Sequence, residues 1–152
     1  MSKRRRLERL DALTDLKPEW DVPLSRLTTL GVGGVADALV EPRTEEALVS
    51  LIEALDAERV PFLVLGQGSN LVFRDGGWPG LVIRPYHGRT VLQDNDEELI
   101  LWPGCPLPAL VSDCISRGLA GLEGLRGIPA RLGGALMMNA GTRWGSLGDV
   151  VT

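Results

Sequence analysis

The chain has 152 residues, 44% hydrophobic and 24% charged, which is enough to bury one core or two small ones in a globular protein. A net charge of −4 with no clustered basic face argues against a general nucleic-acid binder. No run is long and apolar enough to cross a membrane as a helix, and two cysteines with one histidine make no zinc set.

Residues 1–24 read as an N-terminal arm, helical from Met1 to Trp20, with Leu7, Leu10 and Leu13 on one face and a break near Pro18. The basic start Arg4–Arg6 precedes no apolar run, so it is a solvated helix end rather than a secretory signal. The globular part begins at Pro23. Ala38 to Val40 is a predicted strand closed by Pro42, and Thr44 caps a helix running to about Glu58, with Glu45 and Glu46 facing its dipole. Phe62 to Leu65 is a predicted buried strand, so strand, helix and strand form a βαβ unit with parallel strands.

Leu71 to Phe73 is expected to be extended, Asp75 to Gly80 a turn, and Leu81 to Arg84 the next strand. Thr90–Gln93 and Leu99–Trp102 flank the polar turn Asp94–Glu98 as a hairpin. Pro106 opens a second helix with Leu107, Leu110, Val111, Cys114 and Ile115 as its apolar stripe, and Gly118 stops it. Cys114 on that stripe reads as a small hydrophobe; the two cysteines form no CxxC pair, and the cytosol is taken as the default compartment. Arg131 to Met138 is short and apolar. Asp149 to Thr152 reads as the beginning of a strand, so the chain is expected to be a fragment cut inside that element.

Glycines concentrate in three places, 31–34, 66–68 and 118–148. The sharpest segment is Leu65-Gly66-Gln67-Gly68-Ser69-Asn70-Leu71, which leaves one extended piece and enters another. A Rossmann fingerprint would need a third glycine and a following helix, and a phosphate-binding P-loop would need a Lys-Ser/Thr pair; both are missing. Gly66 and Gly68 can take positive φ and turn successive N–H groups inward as an anion nest, to which Ser69 and Asn70 add side-chain donors. Such neutral donors, at roughly 1.5–3 kcal/mol each to a charged group, suit an acidic chain better than exposed ion pairs at about 0–1 kcal/mol. Taken alone, the loop is equally a glycine-rich turn between strands.

Three further segments stand around it in order: Thr28-Thr29-Leu30-Gly31-Val32-Gly33-Gly34-Val35-Ala36-Asp37 before, then Gly121-Leu122-Glu123-Gly124-Leu125-Arg126-Gly127-Ile128-Pro129 and Gly133-Gly134-Ala135-Leu136-Met137-Met138-Asn139-Ala140-Gly141 after. In this combination the chain, from about Leu27 to Thr152, resembles the UDP-N-acetylenolpyruvoylglucosamine reductase family (UDP-N-acetylmuramate dehydrogenases). The resemblance implies an α+β FAD-binding domain of the vanillyl-alcohol-oxidase (PCMH) type, with two small lobes and the flavin between them. Lobe 1 would cover residues 25–84 and carry the pyrophosphate loop. Lobe 2 would cover residues 85–152, incomplete at its C-terminus and truncated before the substrate domain. Gly66, Gln67, Gly68, Ser69, Asn70 and the adjoining Leu71 match the pyrophosphate loop. Ile128, Pro129, Gly133, Gly134, Ala135, Asn139 and Gly141 match the second flavin-lining stretch, where backbone would lie flat against the isoalloxazine ring and present N–H groups to it.

The resemblance further implies that NADPH passes a hydride to FAD and that reduced flavin passes it to UDP-N-acetylglucosamine enolpyruvate. The family's serine, arginine and glutamate that complete the reaction match no residue of this chain, so no catalytic residue is assigned and the chain alone is expected to be inactive. Ala130, Arg131 and the segment Thr142-Arg143-Trp144-Gly145 depart from the family pattern; Arg131 and Arg143 are read as surface residues that could instead reach a phosphate or the flavin. Trp20, Trp78, Trp102 and Trp144 are read as core or cleft wall. Three rivals are weighed. A flavin-binding module without reductase activity predicts a yellow, inactive protein. An oxidase of the same fold wants an attachment residue, yet His87 and Cys105 lie outside the flavin-lining segments. A serine hydrolase built on Ser69 has no visible third triad member.

Overall fold

A computed structural model describes residues 16–86, 88, 91–95 and 98–152. They divide into two compact units, one ending at Tyr86 and the other running to Thr152. Leu7, Leu10, Leu13 and His87 lie outside the described residues.

The first unit is built on a four-stranded sheet of β1 (Glu19–Pro23), β2 (Val35–Val40), β3 (Phe62–Val64) and β4 (Trp78–Ile83) in the order β1-β2-β4-β3. β1 is antiparallel to β2, whereas β2 and β3 both run parallel to β4. The expected parallel βαβ unit is present, with β4 inserted between its two strands. Its crossover helix α1 (Glu45–Ala57) starts where Thr44 Oγ1 accepts from the Ala47 N–H at 3.2 Å and ends at Glu58. Leu51 and Leu55 of α1 pack on Ala38, Val40, Leu81 and Ile83, forming one core. A second core gathers Val22, Leu24, Leu27, Ala36, Leu39, Leu65 and Val82.

Four local expectations change. Glu19–Pro23 is a strand, not the end of a helical arm, because its backbone groups pair with the distant β2. β3 is only partly buried, with Val64 49% exposed, because it is the edge of the sheet; within the expected span only Leu65 is buried. Leu71 to Phe73 joins no strand. Trp78 to Gly80, expected in a turn, belongs to β4: the ladder absorbs Pro79 and Gly80 by slipping from Ala36↔Trp78 to Ala38↔Leu81, a bulge that puts one extra β4 residue opposite β2.

The second unit holds an antiparallel hairpin, β5 (Val91–Asp94) with β6 (Leu99–Leu101), then α2 (Leu107–Ser116), α3 (Leu132–Met137) and a short hairpin of β7 (Gly141–Thr142) with β8 (Gly145–Ser146). Its core contains Cys105, Leu107, Leu110, Val111, Cys114, Leu125, Ala135 and Leu147. The expected apolar stripe of α2 is buried apart from Ile115, which is 44% exposed, and the chain leaves the helix through Gly118 at φ 71°. Residues 150–152 form no strand. The Asp149 carboxylate accepts from the Ser146 N–H at 2.7 Å and its hydroxyl at 3.0 Å, which curls Leu147–Asp149 into a 3₁₀ turn instead. No helix among the described residues is long and apolar enough to cross a membrane.

Candidate dinucleotide-binding site

The loop at residues 65–71 follows β3. Its entry is fixed by Leu65, fully buried, whose N–H donates to the Ile83 carbonyl at 2.8 Å. Its middle is fixed by Gly68, whose carbonyl accepts from the Thr29 N–H at 3.1 Å. Gly68 has φ 68°, and a Cβ there would collide with the Leu27 carbonyl oxygen, so position and backbone both require glycine. Gly66 does not take positive φ as expected; one left-handed residue suffices for the bend because the Leu27–Thr29 backbone holds it from behind.

What remains is a run of donors. Among the described residues, the N–H groups of Gly66, Gln67, Gly68, Ser69 and Asn70 donate to no acceptor, and the side chains of Ser69 and Asn70 make no hydrogen bond. Gln67, Ser69, Asn70 and Leu71 are exposed while Gly68 is buried, so the run lies at the surface on a packed base. The loop itself carries no charged residue. Backbone donors are nearly always satisfied in folded proteins, by protein, water or ligand. A run of exposed donors braced by a second segment is the raw material from which a neutral anion receptor is built.

The second predicted stretch is different. The Ile128 N–H donates to Leu125 O at 3.3 Å, Gly133 to Pro103 O at 2.9 Å, Ala135 to Arg131 O at 2.9 Å and Asn139 to Leu136 O at 3.0 Å. The Gly134 N–H, in the first turn of α3, has no acceptor among the described residues. Asn139 sits at φ 43°, and its Oδ1 accepts from the Gly148 N–H at 2.8 Å, tying the end of α3 to the Leu147–Asp149 turn. Gly141 pairs with Ser146 across the β7–β8 hairpin. Pro129 and Gly141 are exposed and Ile128, Gly133 and Gly134 half-buried, so this stretch offers surface more than donors.

A family described as an FAD binding domain matches residues 36–152. The chain belongs to that family. FAD-binding domain membership accords with the α+β architecture expected from the sequence. The chain is 45% identical over 137 residues to UDP-N-acetylenolpyruvoylglucosamine reductase of Syntrophus aciditrophicus, covering 88% of this chain and 44% of that protein. To the same-named protein of Desulfosudis oleivorans it is 46% identical over 138 residues, again 88% against 44%. The crystal structure of UDP-N-acetylenolpyruvylglucosamine reductase (MurB) from Thermus caldophilus matches at TM-score 0.71 and 44% identity, over 88% of this chain and 46% of that one. The chain is thus a homologue of these reductases that spans a little under half their length.

For a member of an FAD-binding family, the free donors at Gly66–Asn70 are the observation that fits the cofactor: a pyrophosphate needs several N–H or O–H donors, and here they stand without protein acceptors. The Leu27–Thr29 brace was not singled out as a support from the sequence, because its role rests on main-chain contacts that no side-chain pattern encodes. Arg131, read as a surface residue, is 9% exposed, because its backbone bridges to Pro106 and draws it into the second unit. Trp144, read as core or cleft wall, is 73% exposed.

Proposed function

We propose that this chain is the FAD-holding part of an NADPH-dependent reductase that converts UDP-N-acetylglucosamine enolpyruvate to UDP-N-acetylmuramate in peptidoglycan precursor synthesis. One observation carries the cofactor assignment: the consecutive free donors from Gly66 to Asn70 on a base made rigid by Gly68 and Thr29. In this reading Gly66, Gln67, Gly68, Ser69, Asn70 and Leu71 hold the pyrophosphate. Ile128, Pro129, Gly133, Gly134, Ala135, Asn139 and Gly141 wall the flavin by shape, with Gly134 supplying a spare N–H. The lobes are assigned to residues 25–84 and 85–152.

Bound FAD would supply the hydride relay between the nicotinamide donor and the enolpyruvyl group. This chain's residues bind and orient it, and none is assigned an acid, base or nucleophilic role. Two buried cysteines outside any disulfide, Cys105 and Cys114, favour the reducing cytoplasm as its setting.

The experiment is the visible spectrum of the purified chain after FAD addition and desalting, followed by an NADPH oxidation assay with the enolpyruvyl substrate. A retained flavin band without turnover is expected. A colourless chain contradicts the cofactor assignment, and turnover by the chain alone contradicts the absence of catalytic residues from it.

A further inference from the structure

The β7–β8 hairpin carries an apolar side chain that the fold does not bury. Trp144 is 73% exposed, and the Arg143 guanidinium carbon lies 4.4 Å from its ring centroid. An exposed indole offers a broad flat apolar face, and a guanidinium stacked beside it adds a positive charge at its edge. Among the described residues the guanidinium has no hydrogen-bond or ion-pair partner. A guanidinium lying on an aromatic ring keeps its N–H donors in its own plane, directed outward, in the fork that matches phosphate oxygens.

The backbone that carries the pair is also tied down. The Trp144 N–H donates to Thr142 Oγ1 at 3.0 Å, and that hydroxyl donates to the Gly124 carbonyl at 2.7 Å. The hairpin lies so close to the Glu123–Leu125 turn that a Cβ on Gly124 would stand 2.8 Å from the Trp144 carbonyl oxygen. The Glu123 carboxylate accepts from the Gly121 N–H and the Asp149 carboxylate from Ser146, and neither forms an ion pair with Arg143. Preorganisation of this kind lowers the ordering cost of binding.

We propose that this hairpin tip is a docking platform for a nucleoside phosphate, its base stacked on the open face of Trp144 and its phosphate gripped by Arg143. The inference rests on the reductase reading, which supplies two sources of that chemistry: the UDP half of the sugar substrate and the 2′-phosphoadenosine half of the hydride donor.

The test titrates the FAD-loaded chain with UDP, 2′,5′-ADP and uncharged uridine, by calorimetry and tryptophan fluorescence. UDP or 2′,5′-ADP binds and quenches fluorescence, and uridine binds at least about tenfold more weakly. Arg143→Gln weakens the phosphorylated ligand about tenfold and removes its advantage over uridine. Trp144→Ala also weakens binding about tenfold and abolishes most of the quench, while Trp144→Phe restores part of the affinity. A preference for UDP assigns the platform to the sugar nucleotide, and a preference for 2′,5′-ADP assigns it to the hydride donor. Flavin absorbance stays unchanged in all three variants. If none of the ligands binds, or if the variants bind like the parent while all remain yellow, the platform is wrong and the cofactor reading stands. If the parent chain itself holds no FAD, the reductase reading fails instead.

Discussion

Two glycine-rich regions of this chain look alike in sequence and differ in what their backbones do. In the loop at residues 66–70, the N–H groups have no acceptors among the described residues and the one left-handed glycine, Gly68, is fixed from behind by Leu27 and Thr29. In the stretch at residues 128–141, most N–H groups are already given to protein carbonyls, those of Leu125, Pro103, Arg131 and Leu136 among them. The first region spends glycine on presenting donors. The second spends it on packing, as at Gly133, where a Cβ would stand 2.9 Å from Pro103 Cβ. Glycine density therefore marks close approach of backbone without saying to what; the acceptor inventory decides.

Substitutions can break this comparison. The largest effect is expected at Gly68→Val, which puts a β-branched side chain at φ 68° and against Leu27 O. The chain should lose roughly 3 kcal/mol or more in urea unfolding and retain no flavin. Next come Ser69→Ala and Asn70→Ala. Each should weaken FAD about tenfold in a flavin titration and leave the unfolding midpoint unchanged, since neither side chain bonds within the protein. Gly133→Ala should act through packing instead: it should cost about 1 kcal/mol of stability in urea unfolding, as crowding against Pro103 exceeds the gain in helix propensity.

The smallest effect is electrostatic. The Asp149 carboxyl is held below its usual pKa by the Ser146 N–H and then by the Ser146 hydroxyl; Glu123 is held low by its own N–H and then that of Gly121. A depressed folded pKa contributes stability that is present above the unfolded value, about 4, and is lost as pH falls through the folded one. Unfolding midpoints measured from pH 6 down to pH 3 should therefore drop at the acid end, and Asp149→Asn should flatten part of that drop without moving flavin affinity at pH 7.

Much of the fold was legible where local chemistry decides it. Thr44 as a cap, the stripe of α1 and the stop at Gly118 all act within a few residues. Elements set by distant partners were not. β1 exists because β2 pairs with it, β3 is an edge although its sequence is a continuous apolar run, and β4 extends through Pro79 and Gly80 because a bulge accommodates them. The candidate site divides the same way. Gly66-Gln67-Gly68-Ser69-Asn70 announces a tight bend rich in donors. That those donors stay free, whereas the Gly133 donor does not, depends on carbonyls at Pro103 and elsewhere that no motif records. The exposed Trp144 was equally hidden, since sequence gives an indole no reason to stay outside.

The most direct test of this difference is residue-resolved amide hydrogen exchange, with and without FAD. The Gly66–Asn70 amides should exchange rapidly in the free chain and become protected when FAD binds, while the Ile128, Gly133 and Ala135 amides are protected in both. Slow exchange at Gly66–Asn70 before FAD is added, or no gain in protection afterwards, would contradict the donor-loop account.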